Sequence, residues 1–199
     1  MSSTLGLNRQ APEATTQAYP LVVPNGVIVG ESLNSGHIED WEYQDQAQAE
    51  VDSGVTPPFR GAELVRQDSA ADPTWAQLLA FLSADKTDQS IYIPNVYMCG
   101  DYARDVYNDA ERSGIRAAYV AIRFTDRWHA CNAFQTTDRG IVFIDCTGLE
   151  AGQCGPPNRD KIVSVNLGQD YVPQSLFLQP GWQTNWGDLG TILEVHIYW

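Results

Sequence analysis

The sequence predicts an α+β domain, because a helix with one buried stripe is followed by strand-like runs that read as an antiparallel meander. Apolar or small residues recur at Cys99, Tyr102, Ala103, Val106 and Ala110, the i, i+3, i+4, i+7 spacing of a helix packed on one face, and Gly114 supplies its stop. Residues 117–124, 129–135 and 141–147 are then rich in β-branched and aromatic side chains, the last two runs flanking a Thr-Asp-Arg-Gly turn signal. With 199 residues, 43% of them hydrophobic and 19% charged, the chain closes one core, and two full domains would be a squeeze.

Residues 1–19 mix Ser, Thr, Gln and Ala with too little apolar content to offset their ordering entropy, so they read as an arm. Residues 19–30 place two short β-branched runs around Pro24, Asn25 and Gly26, which suits an edge hairpin or a strand bent at Pro24. Residues 31–60 are acidic and polar and close on Pro57 and Pro58, a solvated surface excursion in preference to a binding lid. Segment 1–70 is thus expected as an arm and excursion draped on a core domain of 71–199. In that core, Asp72 offers an N-cap and Pro73 a first helical position, and Trp75, Leu78, Leu79 and Leu82 continue a helix over 73–83. The polar link 85–90 lacks the central Gly and closing Glu of a calcium loop. Residues 161–166 and 191–199 read as further strands, Leu193, Val195, Ile197 and Trp199 alternating as on a half-buried sheet, which makes about five to seven strands in all.

Charge and motif content exclude several functions. Twelve Lys and Arg against 25 Asp and Glu leave a formal net charge of −13, which repels phosphate backbones and anionic membranes. No apolar run approaches the roughly 18 residues of a membrane helix. The first ten residues lack the basic start and apolar core of a signal peptide, which favours the cytoplasm unless a leader has been trimmed. Cys99, Cys131, Cys146 and Cys154 form no C-x-x-C pair, His37, His129 and His196 are scattered, and neither H-E-x-x-H nor a phosphate-cradling glycine loop occurs. Neither a metal nor an organic cofactor is expected.

What remains is a cysteine, a histidine and an acid to be placed together. Cys99 falls in the first turn of its helix, where free amides and the macrodipole favour a thiolate and offer donors to an oxyanion. Asp101 and Asp105 on the same helix oppose that charge, so a basic partner is required. His129, at the start of a strand, is the candidate, able to pair with the thiol and later protonate a leaving amine. Asp145 lies sixteen positions on, at the end of the apolar run Ile141-Val142-Phe143-Ile144, where an unpaired carboxylate would be costly. A five-residue loop over 135–139 sets His129 directly opposite Asp145, whereas a two-residue loop at Arg139 and Gly140 sends them to opposite faces. The grouping therefore demands an odd-length loop, or a bulge of equal effect.

Asn95, four residues before Cys99, is a candidate oxyanion donor or simply a turn residue after Pro94. Trp182 and Trp186, in a glycine-rich loop, are candidates for a substrate-cleft wall or for packing over the sheet. Cys131 and Cys146 read as packing residues in strands, Cys146 turned away from the face of Asp145, and Cys154 as an exposed thiol or a partner for Cys146.

The run Cys99-Gly100-Asp101-Tyr102-Ala103, Gly114-Ile115 before a strand, His129-Ala130-x-Asn132-x-Phe134, and Ile144-Asp145-Cys146-Thr147 resembles the transglutaminase-like superfamily, a branch of the papain-like cysteine enzymes. The resemblance covers roughly residues 74–149. It departs from the family pattern at Cys131, where an aromatic is common, and at Cys146, where proline is common. It implies a papain-like fold with a helix across an antiparallel sheet, Cys99 as nucleophile, His129 as acid and base, and Asp145 as orienter. The expected activity is thiol-dependent acyl transfer on amide bonds of a protein or peptide substrate, as peptidase or amidase with water as acceptor, or as transglutaminase with an amine. Hydrolysis is slightly preferred, because water needs no second amine site. The other class of function is a non-catalytic protein- or peptide-binding module that keeps the fold. The sequence leaves the oligomeric state open.

Overall fold

The structure, a computed structural model, describes residues 63–199 and two short strands ahead of them. In chain order the elements are β1 (Ile28–Gly30), β2 (Gly36–His37), β3 (Glu63–Leu64), α1 (Trp75–Ala84), β4 (Ile91–Tyr92), α2 (Cys99–Arg112), β5 (Ala118–Arg123), β6 (Trp128–Thr136), β7 (Gly140–Asp145), β8 (Leu149–Glu150), β9 (Lys161–Val163), β10 (Gln174–Ser175) and β11 (Glu194–Tyr198). Seven of the strands form one sheet in the order β1-β11-β5-β6-β7-β9-β10, antiparallel throughout except for the parallel β1–β11 pair at one edge. The α+β class and a sheet of seven strands follow the expectation. Of the expected hairpin in 19–30, only Ile28–Gly30 lies among the described residues, as a single edge strand; the rest of 1–62 lies outside them apart from Gly36–His37.

Two apolar layers sandwich the sheet. On one side α1 and α2 bury Leu78, Leu82, Ala103, Val106 and Ala110 against Tyr119, Ala121, Phe134 and Ile144. On the other, Val120, Ala133, Phe143 and Ile197 meet Tyr171 and Ile192 from the long C-terminal connection. Strand alternation assigns successive residues to the two layers. Asn132, fully buried on the helix side, spends its amide on the carbonyls of Ala103 (2.8 Å) and Ala118 (3.3 Å), tying α2 to the sheet beside the site. The core also reaches back before residue 71, because Asn108 and Glu111 of α2 accept from the amides of Val65 (2.6 Å) and Gln67 (2.9 Å), and Leu64 is buried.

Two local expectations change. Helix α1 is capped by Thr74 and not by Asp72, because Thr74 and Gln77 satisfy each other's backbone amides in a capping box while Asp72 turns toward Arg116 at 3.7 Å. The β6–β7 hairpin pairs Thr136 with Gly140, so its loop has three residues where five were expected. Gly140 at φ 69° supplies the left-handed position that closes a three-residue loop, and Thr136 Oγ1 accepts from the Arg139 amide across it.

Candidate active site

The three-residue loop keeps the odd parity on which the grouping depends and shifts the register by two. Extending the observed pairs one step sets Asp145 opposite Cys131, so His129 stands on the same face as Asp145 but diagonally across, within reach of a ring side chain. His129 Nε2 is 2.9 Å from Asp145 Oδ2, and both side chains are almost wholly buried. Cys99 lies close enough to the same imidazole to raise its proton affinity, and with Nε2 engaged by Asp145 the ring nitrogen left to face a sulfur is Nδ1. The structure thus groups Cys99, His129 and Asp145 around one imidazole.

Helix α2 starts at Cys99 as expected, from an extended Met98. Asp101 reaches back to accept from the Met98 amide at 2.8 Å, and the Met98 carbonyl receives the Asp101 (2.9 Å) and Tyr102 (3.2 Å) amides. By position, the amides of Cys99 and Gly100 point out of the helix end. The opposing charge expected from Asp101 and Asp105 is offset by Arg104, whose guanidinium is 2.8 Å from each carboxylate, and Asp105 also accepts from the Tyr97 hydroxyl at 2.6 Å.

Asp145 carries the densest set of contacts. Oδ2 accepts from His129 and from the Tyr171 hydroxyl at 3.1 Å; Oδ1 accepts from the Thr147 amide at 2.8 Å and lies 3.5 Å from Lys161 Nζ. Burial alone would push this carboxyl up, but the Lys161 and His129 charges and these hydrogen bonds hold it well below the usual carboxylate range. For His129, burial would lower the imidazole; the Asp145 charge and hydrogen bond, with the Cys99 contact, outweigh it and push the ring up to about 10. At neutral pH the histidine is an imidazolium paired with the Asp145 carboxylate.

The other candidates are placed elsewhere. Asn95 stands exposed in the turn between Ile93 and Tyr97, at φ 62°, a backbone position asparagine tolerates well. Trp182 is exposed in the C-terminal connection. Trp186 lies over Lys161, with Nζ 4.8 Å from its ring centroid, and its indole N–H donates to Ser175 Oγ at 2.8 Å, so it covers the Asp145 end of the group. Cys146 is buried in the layer under the helices, Cys131 is buried beside Tyr171, Cys154 is exposed, and all are free thiols. Among the described residues no group of three or more His, Cys, Asp or Glu side chains could hold a metal ion, and no helix is long and apolar enough to cross a membrane.

Lys161 and Tyr171 were missed by sequence reasoning. Lys161 is one of only two lysines in the chain and opens an apolar strand, an oddity that parallels the acid ending β7. Tyr171 comes from an irregular connection and carries no comparable signal; its ring meets His129 edge to face at 5.2 Å between centroids. No protein-family model, curated protein or solved structure matches the chain.

Proposed function

We propose that the chain is a thiol-dependent acyl-transfer enzyme acting on amide bonds of a protein or peptide, with a papain-like architecture of the transglutaminase-like type. The observation that carries this reading is a single buried imidazole that is 2.9 Å from a carboxylate and is influenced by the cysteine that opens a helix. In that arrangement the Cys99 thiolate attacks the amide carbonyl, forming the C–S bond, and the outward amides at the start of α2 face the resulting oxyanion. The imidazolium then gives its Nδ1 proton to the departing nitrogen as the C–N bond breaks, leaving an acyl-thioester and a neutral ring. Water, deprotonated by that ring, attacks the thioester carbonyl; the C–S bond breaks, the acid is released, and the thiolate and imidazolium are restored. An amine acceptor would instead complete a transamidation.

The test is the rate at which iodoacetamide labels Cys99 in the folded protein, read by peptide mass. His129→Ala is expected to slow labelling at pH 7 by about a hundredfold or more, the lower end of what a positioned acid and base contributes. If native Cys99 reacts no faster than the denatured thiol and His129→Ala leaves its rate unchanged, the enzymatic reading is lost and a binding module takes its place. A newly formed carboxylate or a new N-terminus in a peptide pool, against incorporation of a fluorescent primary amine, separates hydrolysis from transamidation.

A further inference from the structure

Lys161 opens β9 directly across the ladder from Asp145 and is buried. Its ammonium donates to the carbonyls of Thr147 (2.7 Å) and Arg159 (3.0 Å), lies 3.5 Å from Asp145 Oδ1, and is roofed by Trp186. Burying an ammonium is costly unless every proton finds a partner, and an apolar side chain could fill the same strand position at no such cost. The cost implies a use for the charge. Asp145 has two oxygens and two cationic neighbours, and the contacts divide cleanly, Lys161 at Oδ1 and His129 at Oδ2.

Resting on the acyl-transfer reading above, we propose that Lys161 is a positioning residue of the site: by holding Oδ1 it aims Oδ2 at the imidazole, and by compensating the carboxylate it keeps His129 able to release its proton to the leaving group. A carboxylate facing the imidazolium alone would clamp that proton harder and weaken the acid. With Lys161 present, Asp145 is already balanced, and the thiolate and imidazolium balance each other. The charged and titratable groups facing His129 are Asp145, Cys99 and Tyr171, and those facing Lys161 are Asp145, Asp160 and Cys146.

The experiment follows the His129 ring by long-range proton–nitrogen NMR in the full chain as pH is raised, alongside the pH profile of Cys99 labelling. Lys161→Met is expected to raise the proton affinity of the ring about tenfold or more and to move the alkaline limb of labelling upward with it, whereas Lys161→Arg keeps both within twofold. Asp160→Asn, which removes the other carboxyl facing Lys161, is expected to leave the ring within twofold. A ring unmoved by Lys161→Met, or moved equally by Lys161→Arg or Asp160→Asn, overturns the proposal. Should Lys161→Met fail to fold, Trp186→Ala admits water to the ammonium and is expected to raise the ring's proton affinity about twofold; an unmoved ring overturns the proposal equally. The ring titration does not depend on turnover. Coupling to Lys161 in a protein whose Cys99 labels like a denatured thiol supports the coupling and defeats the acyl-transfer reading instead.

Discussion

Asp145 and Asp160 are equally buried and both adjoin Lys161, one across the ladder and one just before it in the chain, yet their acidities move in opposite directions. Burial raises both. Asp145 then meets two cations and two further donors, and is held as an anion. Asp160 meets the Asn158 amide at 2.9 Å and the Cys146 thiol, but the Asp88 carboxylate nearby works against it, and it is pushed up to about 7. Asp88 is itself raised by burial, with Oδ2 accepting from the Arg159 amide at 2.6 Å and Oδ1 buried without a partner. Neighbouring charge therefore decides what a sealed carboxyl becomes. Asp145 is an anion held against an imidazolium, and Asp160 is a carboxyl that holds its proton up to neutrality.

Replacing Asp145 by Asn breaks the comparison most severely. An amide of the same shape cannot balance an imidazolium and presents its nitrogen or oxygen to Nε2 in the wrong tautomer, so Cys99 labelling and any turnover are expected to fall about a thousandfold or more. The same change strands the Lys161 charge and is expected to cost about 3–5 kcal/mol of stability, measured by denaturant unfolding. Adding Lys161→Met should recover much of the stability and none of the reactivity. Recovery of both would mean that Asp145 serves the fold alone.

Asp160→Asn is expected to act in the opposite sense. Its carboxyl has a folded-state value above the unfolded one, so the folded protein keeps a proton that the unfolded chain loses, and stability falls as pH rises from about 4 to about 7. Three units correspond to about 4 kcal/mol at full expression. The Asn variant, permanently neutral, should be more stable than the parent at pH 8 and little different at pH 4. For His129, raised in the folded state, the contribution is full below about 6.5 and is lost as pH climbs through about 10. For Asp145, lowered in the folded state, it is present above about 4 and lost only as pH falls through its depressed value. Over pH 5 to pH 9 the Asp145 contribution is constant, while those of Asp160 and His129 both fall, so denaturation midpoints should decline across that interval, and a rise would contradict these assignments.

Much of this site was legible because its parts are local. The start of α2 at Cys99 follows from one apolar stripe, and the parity of the β6–β7 hairpin is fixed by the need to keep an acid and a histidine on one face. The exact register was not legible, because Gly140, read as part of a turn signal, is the left-handed residue that closes the loop. The cap of α1 was misassigned for a related reason. Asp138, in that hairpin loop, accepts from the Trp75 amide at 2.7 Å, and the Thr137 amide donates to the Pro73 carbonyl at 2.9 Å, so the helix start is set partly by a segment more than sixty residues away. Lys161 and Tyr171 reach Asp145 from β9 and from an irregular connection. Their convergence is a product of sheet order, which no local spacing encodes.

Tyr171 offers the mildest test of how Asp145 is held. Its hydroxyl donates to Oδ2, the oxygen that also faces His129, while its ring packs against the imidazole and against Phe124 at 5.7 Å between centroids. Tyr171→Phe removes the donor and keeps the ring. Hydrogen bonds to charged groups contribute about 1.5–3 kcal/mol, and the packing that remains places the expected loss of stability near the lower end, about 1–2 kcal/mol. With one donor fewer, Oδ2 becomes a stronger acceptor for Nε2, so the His129 ring titration should move upward by a few tenths of a unit, in the same direction as Lys161→Met and by less. A downward move would mean that the hydroxyl serves the imidazole itself, and that Lys161 alone sets the balance at Asp145.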